Sequence, residues 1–173
     1  MTKEFTGILD ELDSNVWNRF VDVPTDIVLF YKKKDIKRFL CTYDNMLTKS
    51  CALLSRGDGR YFVMLNKQEC KKLGVHKGAE LRIKLEPDTS KYGMPMPEEM
   101  EELLAQDPEA DRYFQQLSPG KQRSLLYIVG KPKGTETRLR KAITICEYLK
   151  SVEGALDFRE LNQAFKDNRF KLQ

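Results

Sequence analysis

Two stretches of this chain can be laid over one another. Residues 20–44, "FVDVPTDIVLFYKKKDIKRFLCTYD", align with residues 62–88, "FVMLNKQECKKLGVHKGAELRIKLEPD", once a two-residue gap is allowed. Phe20 falls on Phe62, Val21 on Val63, Arg38-Phe39 on Arg82-Ile83 and Asp44 on Asp88. Such a repeat constrains the fold, because a unit of two strands and a short helix cannot bury its apolar side alone and must pack against its copy. Two β-α-β units of this kind predict a small barrel with approximate twofold symmetry, closed within one chain over residues 1–88.

The second copy carries the clearer signals. "SCALLSR" and "RYFVMLN" read as strands joined by Gly57-Asp58-Gly59, residues that tolerate the positive φ of a tight hairpin. Asn66 followed by Glu69 forms an Asn-x-x-Glu capping box, and Gly74 is the stop signal of the short helix it opens. After Gly78, "ELRIKLE" alternates, with Leu81, Ile83 and Leu85 on one face and charges on the other. In the first copy Pro24 stands where Asn66 begins its helix.

The three prolines and one glycine of "PDTSKYGMPMP" predict a linker over 89–97. Helices follow over 98–173. Glu98–Gln106 is acidic, and Asp107 with Pro108 opens a second helix. Ser118-Pro119 opens a third that runs to Val129, and Thr135 caps a fourth over 136–150. Leu139, Ala142, Ile143, Cys146 and Leu149 form the expected apolar stripe of that fourth helix. Asp157 with Glu160 caps a last one. The fold class is therefore α+β, with a double-split-type β-barrel first and a helical region packed on or beside it.

Two resemblances sharpen this. "VMLNKQECKKLGVHKGAELRIKLEPD" resembles the swapped-hairpin element of AbrB/MazE-type barrels, in which two chains build what the internal repeat would build here from one. The chain as a whole resembles the YdeI/OmpD-associated family. That likeness rests on "VDVP" at 21–24, "GDGRYFVMLNK" at 57–67 and the run from Pro97 to Ala142. It implies a small β-barrel followed by helices, in a bacterial family with no established activity. Relatives often carry "AK" before the Thr-Glu-Thr-Arg motif, where this chain has "GKPKG", a more flexible joint.

Composition narrows the chemistry. With 40% hydrophobic and 32% charged residues the chain reads as an ordinary globule needing no metal or disulfide to fold. No apolar run approaches the about 18 residues of a membrane span, and no signal peptide opens the chain, so a cytoplasmic location and no membrane partner are expected. Cys41, Cys51, Cys70 and Cys146 fit reduced, partly buried thiols, and no two lie closer than ten residues. With His76 as the sole histidine, zinc-ligand spacing and a Ser-His or Cys-His mechanism are both unsupported. The expectation is a protein without cofactor or catalytic residues.

Charge is distributed unevenly about a net +4. Residues 98–111 hold seven acids and no base, whereas 112–173 hold 13 bases against six acids. Within "YIVGKPKGTETRLRKA" a P-loop is rejected. It needs one more residue between its glycines than Gly130 and Gly134 allow, and a Lys-Ser/Thr where Thr135-Glu136 stands. A looser anion site survives, formed by Lys131, Lys133, Arg138 and Lys141, with Arg140 turned to the opposite side. The competing reading is a basic face that pairs with the acidic helix. "YKKKDIKR" at 31–38 is equally readable as a solubilising edge.

Three functions remain open. The first is a non-enzymatic binding module for an anionic partner, nucleic acid or a phosphate-bearing ligand. The second is a protein–protein interaction or stress-tolerance protein of YdeI/OmpD-associated type. The third is a small-metabolite enzyme using a cleft between barrel and helices. A monomer or a weak homodimer is compatible with each.

Overall fold

The computed structural model describes residues 1–13 and 19–168. Its architecture is α+β, and the chain divides into two compact units, Met1–Thr89 and Ser90–Gln173. The first unit runs β1 (Lys3–Ile8), β2 (Asp10–Glu11), β3 (Arg19–Val23), α1 (Thr25–Lys33), β4 (Phe39–Tyr43) and β5 (Leu47–Cys51). It continues through β6 (Leu54–Ser55), β7 (Tyr61–Leu65), α2 (Lys67–Leu73) and β8 (Glu80–Pro87). The strands form two antiparallel sheets of order β1-β8-β4-β5 and β2-β3-β7-β6.

Here the closed barrel gives way to two open four-stranded sheets around one core. The cause lies at two corners. Leu9 separates β1 from β2, and Ala52-Leu53 separates β5 from β6, so the chain changes sheet at each corner instead of extending a ladder. The "SCALLSR" run, expected as one strand, is broken at the second corner. Leu9 is fully buried and its backbone is held by the Ala79 carbonyl and the Gly78 amide.

The ladders carry a local twofold relation. Val21 pairs with Val63, flanked by Phe20 with Met64 and Asp22 with Phe62. Cys41 pairs with Leu85, flanked by Phe39 with Pro87 and Tyr43 with Ile83. The dyad passes through Val21/Val63 and Cys41/Leu85. The loop bonds obey it too: the Asp44 amide donates to the Arg82 carbonyl at 2.8 Å and the Asp88 amide to the Arg38 carbonyl at 3.0 Å. Around this axis lies the core, where Leu81, Ile83 and Leu85 of the alternating strand are fully buried with Val21, Tyr31, Tyr43 and Val63. The capping box forms as the sequence indicates, with Asn66 accepting from Glu69 N at 2.8 Å and Glu69 accepting from Asn66 N at 2.7 Å.

The second unit holds α3 (Glu98–Gln106), α4 (Pro108–Gln116), α5 (Pro119–Gly130), α6 (Thr135–Ser151) and α7 (Phe158–Asn168). The helical region expected to reach 173 includes 169–173, which lie outside the described residues. Residues 89–97 do more than link. Tyr92, Met94 and Met96 pack on the helical core, the Tyr92 ring standing edge-on to Phe114 at 5.6 Å. Asp107 caps α4 through Ala110 N at 3.0 Å, and Ser118 caps α5.

Two helix details depart from expectation. Thr135 is the first helical residue of α6, and Gly134 is its N-cap, with no side-chain bond. The single apolar stripe becomes burial on several sides, because α6 is packed by α3, α4, α5 and α7 at once. Thr144, Ile145 and Tyr148 are buried with Ala142, Cys146 and Leu149, whereas Leu139 remains 40% exposed.

Candidate anion-binding site

Helical spacing determines which basic side chains of α6 act together. Thr137, Arg140, Lys141 and Thr144 stand at i, i+3, i+4 and i+7, which is one face. Asn162, Phe165 and Lys166 repeat the same spacing on α7. These two faces and Asn168 line one cavity of about 560 Å³. Three cations, two amides and two hydroxyls therefore surround a space with one aromatic wall.

Within it, the groups hold one another only lightly. The Thr144 hydroxyl donates to the Arg140 carbonyl at 2.9 Å, and Arg140 pairs with Glu136 one turn away. The Lys141 ammonium lies over the Phe165 ring at 5.6 Å. Among the described residues neither Lys141 nor Lys166 is within ion-pair distance of a carboxylate. Two lysines and part of an arginine thus present uncompensated positive charge to the cavity.

The four residues singled out in the sequence do not share this space. Lys141 lines it, and so does Arg140, which helix-face reasoning had turned away. Arg138 lies on a different face and is drawn to the acidic helix, its Nε 3.3 Å from Glu99 Oε2. Lys131 and Lys133 sit exposed on the bend between α5 and α6. Lys131 lies over Tyr127 at 5.8 Å and, with Arg138, borders a separate groove of Met94, Met96 and Pro97. The set divides into Arg138 and Lys131 on one side and Lys141 on the other.

The internal-pairing reading is realised for a minority of the basic residues. Besides Arg138–Glu99, the Lys150 ammonium meets Asp107 at 2.8 Å and Glu147 at 3.2 Å. These bonds hold the Lys150 ammonium above its ordinary range. The Ala110 amide, followed by Lys150, holds the Asp107 carboxyl below its own. Lys166 and Asn162 carry no local signal in the sequence, whereas Phe165 with Phe158 and Leu161 reads as the buried side of the last helix; only the docking of α7 on α6 gives all three a place in the cavity.

The first unit has its own polar knot. Lys49 donates to both Glu69 oxygens, at 2.9 and 2.8 Å, and to the Met64 carbonyl at 3.1 Å, tying β5 to the capping box of α2. Its cysteines, Cys41, Cys51 and Cys70, are buried free thiols, as Cys146 is in the second unit. Among the described residues no group of three His, Cys, Asp or Glu side chains is placed to hold a metal, and no helix is long and apolar enough to cross a membrane.

No curated protein matches the chain. Residues 94–151, from the segment before α3 to the end of α6, match the family described as OmdA: Bacteriocin-protection, YdeI or OmpD-Associated.

Proposed function

We propose that the helical unit is a binding module for a phosphate-bearing ligand, held without catalysis in the cavity between α6 and α7. The observation that carries this reading is the convergence of Arg140, Lys141 and Lys166 on one cavity where, among the described residues, Glu136 is the one carboxylate paired with them. Cations, amides and a hydroxyl are donors, and a phosphate is acceptor on every side. Phe165 adds a flat apolar wall for the body of such a ligand. Binding, not turnover, fits the lining, because Thr144 already donates to a carbonyl and the Glu136 carboxylate is held by Arg140.

The test is calorimetric titration of the full chain with inorganic pyrophosphate. Saturable binding that weakens with added salt is expected. Lys141→Glu combined with Lys166→Glu should abolish it with little change in melting temperature, since solvated charges contribute at most ~1 kcal/mol. Lys131→Glu with Lys133→Glu should leave it intact. Undiminished binding in the first double variant would reject the cavity. A single-stranded oligonucleotide extends the test: engagement of three cations gives a log–log salt slope on the order of −2 to −3.

A second reading has one supporting observation. In the segment that matches the family, Met94, Pro95, Met96, Leu126 and Tyr127 line an apolar groove of about 280 Å³, with Tyr127 57% exposed. The words "OmpD-Associated" in the family's description suit a protein partner for that groove.

A further inference from the structure

The dyad of the first unit generates two grooves, one beside each helix, and their linings differ. Beside α2 lies a space of about 330 Å³ bordered by Arg19, Lys67, Cys70, Lys71 and His76. Beside α1 lies one of about 310 Å³ bordered by Lys32, Asp35, Ile36, Lys37 and Leu53 above the buried Val28 and Phe39. Dyad mates occupy corresponding places, Val28 opposite Cys70 and Tyr61 opposite Arg19. One backbone plan thus carries two grooves of different charge, one bordered by Arg19, Lys67 and Lys71 and the other by Lys32, Lys37 and Asp35.

The groove beside α1 has a polar mouth. The Lys32 ammonium donates to the Tyr61 hydroxyl at 2.5 Å and lies 3.9 Å from that ring's centre. Lys37 stands at the rim in a pair with Asp35 at 3.1 Å. The Tyr31 hydroxyl lies 2.8 Å from both the Leu85 and the Met1 carbonyl, which share its one proton, so this buried side chain offers the groove no polar group. Two cations and one carboxylate therefore stand over an apolar floor. We infer that the groove beside α1 binds a small amphipathic anion, a carboxylate on an apolar body, with its head on Lys32 and its tail against the half-buried Ile36, Ala52 and Leu53. The volume lies at the lower end for small-molecule sites, which fits a medium-length chain or a single ring.

The Tyr61 phenol provides a built-in reporter. Its hydrogen bond from Lys32 holds it below the usual phenol range. A carboxylate that takes over Lys32 removes that support, and the phenol titrates upward again.

The experiment titrates the full chain with decanoate and, in parallel, decylamine. Decanoate should bind saturably and lower the phenolate absorbance at alkaline pH. That spectral change should vanish in Tyr61→Phe while binding persists. Lys32→Met should weaken decanoate roughly tenfold to a hundredfold, the loss of one charge-assisted contact, and Lys32→Arg should retain most affinity. Ala52→Phe, placed at the groove wall, should block it. The inference is overturned if decylamine binds as well as decanoate, if Lys32→Met binds normally, or if no saturable binding occurs. Loss of decanoate binding in the Lys141→Glu, Lys166→Glu variant would also overturn it, assigning the ligand to the α6/α7 cavity.

Discussion

Asp107 shows how one side chain fixes a helix end. Its Oδ1 accepts the Ala110 amide at 3.0 Å while Oδ2 meets the Lys150 ammonium at 2.8 Å, so α4 begins where α6 ends. Asp107→Ala should cost ~1–2 kcal/mol, the usual loss on removing an N-cap, measured by denaturant or thermal unfolding. Asp107→Asn keeps the acceptor and drops the charge, so it should cost less. The pH dependence follows from the direction of the shift. The folded carboxyl titrates below its unfolded value, so its contribution is complete above the ordinary carboxylate range and is lost as pH falls through the depressed value. Melting temperatures of wild type and Asp107→Asn should therefore converge in acid and separate toward neutrality.

Among the elements, β1 is placed by a residue with no side chain. A Cβ on Gly7 would stand 2.3 Å from the Val21 Cγ1, so β1 crosses β3 at van der Waals contact where the dyad emerges. Gly7→Ala should destabilise the first unit by ~1–3 kcal/mol through overpacking. Combining it with Val21→Ala should recover part of that loss, because the two changes share one contact and are not additive. An unchanged unfolding midpoint in Gly7→Ala would show that β1 can move away. Local signals in the sequence were enough for much at this scale. The Asn66–Glu69 box, the Gly74 stop, the Asp107 and Ser118 caps and the alternation of β8 all depend on residues within a few positions of one another. Asp157 likewise caps α7 through Glu160 N at 3.2 Å, but the Glu160 side chain accepts from Tyr148. The errors fell where distant segments decide. The burial of α6 depends on four neighbouring helices, the sheet changes at Leu9 and Ala52-Leu53 depend on two sheets, and the α6/α7 cavity depends on how α7 docks.

The whole molecule is two units, each with a hydrophobic core of its own. Removing residues 20–44 would take away β3, α1 and β4, the inner partners of β7 and β8, and should unfold the first unit. Residues 90–173 expressed alone should retain helical circular dichroism and a cooperative melt. A non-cooperative melt would show that the helices depend on the first unit. Holding both halves of the dyad in one chain frees them from identity. A dimer of two identical half-chains can present only identical grooves, because every substitution appears on both sides of the axis. At the axis itself each residue would meet its own copy, a demand that Val21 against Val63 satisfies and Cys41 against Leu85 does not. Covalent joining removes that tie. With both halves in one chain, a mutation alters one groove and spares the other, so Tyr61 and Arg19 can occupy equivalent places with different charge. A single chain can be asymmetric about its own dyad, and the two sides of this fold are.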